Sequence, residues 1–193
     1  MSDLPRSANP FRGKINRLMA EAEPSRLALS QPAKGKPNVL LVMLDDVGFG
    51  SCSTFGGPIP TPGVDRIAAA GLKYNQFHTT ALCSPTRAAL LTGRNHHSVH
   101  MGGITEIANS FPAYDSAIPL ETATIAEILK LSGFSTGCFG KWHLGDQPQF
   151  MPLAQGFDEY EGIPYSNDMW VRGNPKRKYP PLPWIKGNKA VAH

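Results

Sequence analysis

An unbroken run of apolar side chains at residues 39–44 constrains the fold of this sequence more than any other feature. A strand without polar alternation is typical of a parallel sheet that is covered on both faces. The run is far shorter than the ~20 apolar residues of a membrane-spanning helix, so we expect no association with a membrane. It ends abruptly in Asp45 and Asp46. We therefore predict a buried strand whose carboxyl end presents two adjacent carboxylates.

Signals for helices and strands alternate along the sequence that follows. Capping and turn residues predict helices over 62–70, 85–92 and 125–132, and apolar runs predict strands over 72–77 and 134–139. This alternation predicts an α/β fold in which a largely parallel sheet is flanked by helices.

The charge is divided unevenly along the chain, whose formal net charge is +4. Residues 1–36, which we interpret as an irregular N-terminal tail, hold seven basic and three acidic residues. Residues 37–171, the N-terminal part of the α/β domain, hold six basic and twelve acidic residues. Residues 172–193, a basic, proline-rich and truncated segment, hold six basic residues and no acidic one. No aromatic stripe or nucleic-acid motif accompanies the basic ends, so we expect no nucleic-acid partner.

The cysteines indicate the redox compartment. Cys52, Cys83 and Cys138 are too few and too scattered for a disulfide framework, and they form no Cys-x-x-Cys pair. No apolar segment near the N-terminus has the form of a secretory signal. We therefore expect a reducing compartment and a cytoplasmic location.

Cys83 opens a segment that has the features of a small anion site. Ser84 is a good N-cap and Pro85 suits the first helical position, so Cys83 is expected just before the unpaired N–H groups of a helix. Arg87 adds a planar cation one turn further along, and Gly93 can close the helix. Taken alone, the segment also fits an inert cysteine buried at the start of an ordinary helix.

Two further pairs of polar residues follow predicted strands. The adjacent carboxylates of Asp45 and Asp46 repel one another unless a cation lies between them, and oxygen ligands suit Ca²⁺ or Mg²⁺. Lys141 and His143 are two residues apart, so in an extended segment their side chains point the same way. Because ligands bind beyond the carboxyl ends of parallel strands, we predict that both pairs and Cys83 surround one site.

Two stretches of the sequence resemble signatures of the type I sulfatases. Residues 81–93 contain Cys-x-Pro-x-Arg followed by an apolar pair and Thr-Gly. Residues 133–143 resemble the second signature of that family, although Phe134 and Phe139 depart from its usual residues. The resemblance implies an alkaline phosphatase-like fold and an arylsulfatase-like hydrolase that acts on a sulfate ester of a small molecule.

The resemblance also implies a role for each candidate residue. A separate formylglycine-generating enzyme oxidises the cysteine at the position of Cys83 to formylglycine, whose aldehyde hydrate attacks the sulfate ester. Arg87 and Lys141 are expected to offset negative charge there, and His143 to remove the proton that allows sulfate to leave. The implied ligands of the divalent cation, which is Ca²⁺ in preference to Mg²⁺, are Asp45, Asp46 and the side chain derived from Cys83.

Two alternatives stay open. The first is a phosphoester or phosphonate monoester hydrolase of the same superfamily; the phosphoester hydrolases usually carry Ser or Thr as the nucleophile, so Cys83 argues against that function. A non-catalytic, truncated fragment would retain the site residues as relics. Family members are considerably longer, and their downstream metal ligands have no match after His143, since Asn167 and Asp168 are in the wrong order. We therefore expect an N-terminal fragment that binds metal weakly and has little or no activity alone.

Overall fold

In the part of the chain that the structure describes, the α-helices and strands lie in the middle and near the C-terminus. The computed structural model describes residues 13–25, 32, 34–169 and 181–192. The elements within them are α1 (Pro62–Ala70), α2 (Cys83–Thr92), α3 (Ile125–Leu131), β1 (Gly137–Lys141), β2 (Glu159–Ile163), β3 (Trp184–Lys186) and β4 (Lys189–Ala192). Several 3₁₀ turns connect these elements. Within the same residues, no helix has both the length and the apolar character needed to cross a membrane.

Capping residues set the ends of two helices. At the start of α3, Thr124 and Glu127 form the predicted capping box, in which each side chain accepts a hydrogen bond from the backbone N–H of the other residue. At the end of α2, Gly93 adopts the left-handed conformation with a φ of 65° and donates its N–H to the carbonyl oxygen of Ala89. Both ends therefore follow from local sequence.

The start of α2 differs from the prediction, because Leu82 is the N-cap instead of Ser84. The carbonyl oxygen of Leu82 accepts the N–H of Thr86 at 3.1 Å. Cys83 is consequently the first helical residue, and Pro85 occupies the third helical position. A proline is tolerated there because the first four N–H groups of a helix have no intrahelical partner. The unpaired N–H groups of α2 thus begin at the cysteine itself.

The strands form one mixed sheet in the order β1-β2-β3-β4. β1 and β2 are parallel, with Cys138 opposite Tyr160 and Lys141 opposite Ile163. The pairs β2–β3 and β3–β4 are antiparallel. The predicted combination of helices and sheet is present, but the described sheet is mixed, with one parallel and two antiparallel pairs, where a largely parallel sheet was expected. The parallel pair is the one that leads into the candidate site.

Two predicted strands are absent from the described sheet. Residues 39–44 and 72–77 have no strand structure, and the side chains of Leu40 and Leu72 are 88% and 81% exposed. A strand is held by hydrogen bonds to its neighbours, and neither run has a paired strand beside it within the described residues. The prediction that these two apolar runs are strands buried in a sheet is therefore wrong.

The ends of the sheet also differ from the sequence prediction. β1 begins at Gly137 instead of residue 134 and extends to Lys141. β3 and β4 lie within residues 172–193, where no strand was predicted, and β3 pairs with β2. The hairpin formed by β3 and β4 contributes Ile185 to the core, so this part of the proline-rich segment belongs to the sheet.

One hydrophobic core joins the sheet to α2. The Trp142 side chain is 2% exposed, its Nε1 donates to the Phe150 carbonyl oxygen at 2.9 Å, and its ring meets the edge of Phe157. The buried members of this core are Ala88, Val99, Met101, Ile118, Trp142, Leu144, Met151, Tyr160 and Ile185. Because the core includes residues of α2, of β2 and of the segment after β1, it fixes these elements relative to one another.

Replacing Gly162 by alanine should destabilise the fold. Gly162 lies opposite Gly140 in the parallel pair, and a Cβ atom at residue 162 would overlap the carbonyl oxygen of Gly140. We expect the free energy of unfolding in urea to fall by about 2 kcal/mol or more. The matched control is Gly63→Ala in α1, where a Cβ atom meets open space and helix propensity should add up to about 1 kcal/mol. Equal effects of the two substitutions would contradict the close approach of β1 and β2.

Candidate active site

The parallel strands bring Lys141 and His143 to one edge of the sheet. Lys141 is the last residue of β1. Beyond it, the Trp142 N–H donates to the carbonyl oxygen of Ile163 at 2.9 Å. The His143 N–H then donates to the carbonyl oxygen of Pro164 at 2.9 Å. The pairing of the two strands thus continues past β1 and fixes the backbone of both candidate residues.

His143 does not continue the extended conformation of β1. Its φ is 59°, in the left-handed region that a residue with a side chain rarely adopts. The prediction that Lys141 and His143 point the same way relied on extended alternation, which does not describe His143. Both side chains nevertheless reach the candidate site, and each contacts a different predicted residue there.

The start of α2 places Cys83 against the ring of His143. The Sγ atom of Cys83 lies 3.0 Å from Nδ1 of His143, whose side chain is fully buried. The other ring nitrogen, Nε2, lies 2.9 Å and 2.8 Å from the two carboxylate oxygens of Glu106. The imidazole therefore bridges the thiol and a carboxylate.

Glu106 is a site residue that the sequence did not reveal. It lies in the 3₁₀ turn Thr105–Ile107, outside both signature stretches, and a single acidic residue in a loop has no spacing that singles it out. Burial works to raise the pKa of Glu106, but its interaction with His143 and the hydrogen bonds from its own turn together outweigh that effect. The pKa of Glu106 consequently lies below its ordinary value, and the group is a carboxylate at neutral pH.

Arg87 and Lys141 converge on Asp45. Nζ of Lys141 lies 2.6 Å from Oδ2 of Asp45, and Nη2 of Arg87 lies 3.4 Å from the same oxygen. Arg87 also donates from Nη1 to the carbonyl oxygen of Lys141, while Lys141 donates to Oγ of Ser166 at 3.0 Å. Partial burial works to raise the pKa of Asp45, but Lys141 and Arg87 outweigh it and hold that pKa below its ordinary value. Two cations therefore share one ionised carboxylate.

One hydrogen-bond donor of the Arg87 guanidinium group has no partner among the described residues. This donor is Nε, which is buried. A buried donor without an acceptor costs about 1–3 kcal/mol, and the oxygen of a small anion can relieve that cost. Arg87 lies one turn beyond Cys83 on α2, so an anion beside the thiol would be close to the guanidinium group.

The predicted metal ligands do not assemble into a complete cation site. Across the described ranges, no three or more His, Cys, Asp or Glu side chains are grouped so that they could hold a metal ion. Asp45 directs one oxygen at Lys141, and Asp46 is exposed with a φ of 55°. Calcium prefers six to eight oxygen ligands. Asp45, Asp46 and Cys83 are therefore at most part of a ligand set, and the ammonium of Lys141 satisfies one carboxylate.

An open cleft of about 910 Å³ lies in front of these groups. Asp45, Asp46, Cys83 and Arg87 line its polar part, together with the apolar residues that precede Asp45. Lys141 and His143 contact these residues from the side of the sheet. The cleft is much larger than a sulfate ion, so it leaves room for the organic part of an ester.

Comparison with known proteins identifies the family. A family model described as Sulfatase matches residues 37–183, which is most of the chain. The chain belongs to the sulfatase family. Arylsulfatase A from Bos taurus is 43% identical over 149 residues, which cover 74% of this chain and 28% of the relative. N-acetylgalactosamine-6-sulfatase from Homo sapiens is 44% identical over 135 residues, which cover 66% of this chain and 26% of the relative.

Solved structures of sulfatases confirm the predicted fold. The PsFucS1 sulfatase from Pseudoalteromonas sp. superposes with a TM-score of 0.61 at 24% identity, covering 80% of this chain and 34% of that chain. Ps i-CgsB in complex with k-i-k-neocarrahexaose gives a TM-score of 0.56 at 27% identity, covering 77% and 36%. The α/β, alkaline phosphatase-like fold is thus shared with these sulfatases.

The chain spans little more than a quarter of the length of the curated sulfatases it matches. Membership of the family implies a metal ion and formylglycine in general terms. The matched region includes Asp45, Cys83, Arg87, Lys141 and His143. All five residues therefore lie within the sulfatase part of the chain.

A double-mutant cycle should reveal coupling between Asp45 and Lys141. We expect Asp45→Asn and Lys141→Met to interact by about 1 kcal/mol in urea unfolding, because the two groups are in contact and the Lys141 side chain is only 9% exposed. The matched control is the exposed pair Glu161–Lys186, whose atoms are 3.5 Å apart and whose coupling should stay below about 0.5 kcal/mol. Additive effects at Asp45 and Lys141 would show that the carboxylate and the ammonium do not meet.

Proposed function

We propose that this chain carries the nucleophile of a sulfuric ester hydrolase that acts on a sulfate ester of a small molecule. Cys83 is the residue that a formylglycine-generating enzyme converts to formylglycine. The observation that supports this most strongly is the 3.0 Å contact between Cys83 Sγ and Nδ1 of the buried His143. In this contact a ring nitrogen that can accept a proton lies beside the one cysteine that opens a sulfatase signature, which supports the proposal.

The residues around Cys83 have separate tasks in this proposal. Formylglycine supplies a hydrated aldehyde with one hydroxyl group to attack sulfur and a second from which a proton can leave. His143 accepts that proton at Nδ1, the atom that faces residue 83. Arg87 and Lys141 stabilise negative charge on the sulfuryl oxygens, and the unpaired Nε of Arg87 is a donor suited to one of them.

The family's metal ion is proposed to be Ca²⁺, with Mg²⁺ as the alternative. Asp45 and Asp46 are hard oxygen ligands, and the side chain derived from Cys83 is a third candidate. The described residues do not complete a site for such an ion, so its other ligands would have to come from outside them. We therefore expect the chain alone to bind Ca²⁺ weakly and to hydrolyse sulfate esters slowly or not at all.

Conversion of Cys83 tests the proposal. We expect the full chain, co-expressed aerobically with a formylglycine-generating enzyme, to carry an aldehyde at residue 83, detected by peptide mass spectrometry and by labelling with a hydrazide. Cys52 and Cys138 lie outside the signature and should stay thiols, which makes them internal controls. An unmodified thiol at residue 83 under these conditions would contradict the proposal and favour a non-catalytic fragment.

Substitution of the nucleophile separates the two steps of the reaction. In any complete enzyme assembled with this chain, Cys83→Ser should allow sulfate transfer to the serine oxygen but block its release, because serine has no second hydroxyl to ionise. Mass spectrometry should then find a stable sulfate ester at residue 83 after incubation with an aryl sulfate. Repeated turnover by the serine variant would contradict this role of residue 83.

A further inference from the structure

The ring of His143 is held at both nitrogens, and the two partners differ in chemistry. Nε2 faces the carboxylate oxygens of Glu106 at 2.9 Å and 2.8 Å, whereas Nδ1 faces Sγ of Cys83 at 3.0 Å. An ionised carboxylate can only accept hydrogen bonds, whereas a thiol can donate one. The proton of a neutral His143 ring therefore belongs on Nε2, which leaves Nδ1 free to accept.

We propose that Glu106 is a positioning residue that fixes the tautomer and the orientation of His143, so that Nδ1 presents its lone pair to residue 83. A carboxylate behind a histidine commonly sets which ring nitrogen acts on the reacting group. The catalytic meaning of this arrangement rests on the proposed function, but the tautomer itself does not. Neither signature stretch contains Glu106, so the role is read from the contact alone.

The surroundings of Glu106 suit this role. Its side chain is 14% exposed, and hydrogen bonds from the turn around Thr105 and Glu106 itself add to that of His143 in holding the carboxylate ionised. A small cavity of about 140 Å³ lies beside it, and Asp146 lines the same cavity. Asp146 is exposed and serves as the matched acidic neighbour, whereas Glu106 is the acidic residue whose carboxylate meets His143.

The contact between Glu106 and His143 matters because the His143 ring is fully buried. If Glu106 were replaced by glutamine, the amide could donate to Nε2 as well as accept from it. The preference for a proton on Nε2 would then be lost, and the opposite tautomer, with its proton on Nδ1 pointing at Cys83, would be populated as well. A ring in that state cannot accept a proton from residue 83, although its packing is unchanged.

Nitrogen NMR of the full chain tests the tautomer directly. In ¹⁵N-labelled protein at a pH where His143 is neutral, we expect Nε2 to be protonated and Nδ1 to be unprotonated. Glu106→Gln should shift the ¹⁵N resonances toward the opposite tautomer, and Asp146→Asn should leave them unchanged. A protonated Nδ1 in the wild-type chain would overturn the inference without recourse to any variant. So would an identical tautomer in the wild-type and Glu106→Gln chains.

The reactivity of the thiol provides a second readout. With Cys83 unconverted, Glu106→Gln should slow its alkylation by iodoacetamide, because only the thiolate reacts and a ring protonated at Nδ1 cannot take the thiol proton. The alkylation rate of Cys52 in the same sample is the internal control, and Asp146→Asn should alkylate at Cys83 like the wild type. An unchanged rate at Cys83 in Glu106→Gln would overturn the inference.

These outcomes separate the inference from the proposed function. If Glu106→Gln shifts the tautomer but no chain is ever converted to formylglycine, the role of Glu106 stands and the sulfatase proposal fails. If conversion occurs but Glu106→Gln behaves like the wild type in both measurements, the sulfatase proposal stands and the role of Glu106 fails.

Discussion

The pairing of β1 with β2 is the interaction on which the site depends, because it does not stop at the last residue of β1. Two further backbone hydrogen bonds extend it through Trp142 and His143. Trp142 is buried in the core that also contains Ala88 of α2, so the helix and the sheet edge are locked together. This packing is what brings Cys83, at the first position of α2, within 3.0 Å of His143. Backbone pairing thus determines the geometry of the side chains.

The charged groups around the thiol of Cys83 are paired with one another, but not one to one. Ionised groups that leave water are costly unless they are paired, and Asp45 meets two cations while Glu106 meets His143. Arg87 and Lys141 share the single carboxylate of Asp45, while Asp46 lines the same cleft and Glu106 lies behind His143. Residues 37–171 as a whole are acidic, with twelve acidic and six basic residues. Within this acidic domain, Arg87 and Lys141 are the two cations that an anion beside Cys83 would meet.

Local signals in the sequence predicted some of the helix caps, whereas contacts between residues far apart in the sequence could not be predicted. The capping box of Thr124 and the end of α2 at Gly93 depend on neighbouring residues, and both were predicted. The strand expected over 39–44 depends on partners elsewhere in a sheet, and it was wrong. Glu106 was missed because it meets His143 across 37 residues of sequence, and nothing in its own turn indicates that contact. The left-handed backbone conformation of His143 could likewise not be predicted, because no turn motif in the nearby sequence indicates it.

The contact between Cys83 and His143 is the centre of this account, and proton NMR measures it most directly. A nuclear Overhauser cross-peak between Hε1 of His143 and the β protons of Cys83 is expected, since Hε1 is attached to the carbon next to Nδ1. The packed rings of Trp142 and Phe157, whose centroids are 6.1 Å apart, supply a reference cross-peak in the same spectrum. If the reference appears and the Cys83–His143 cross-peak does not, the thiol and the imidazole are separated and the proposed site does not exist.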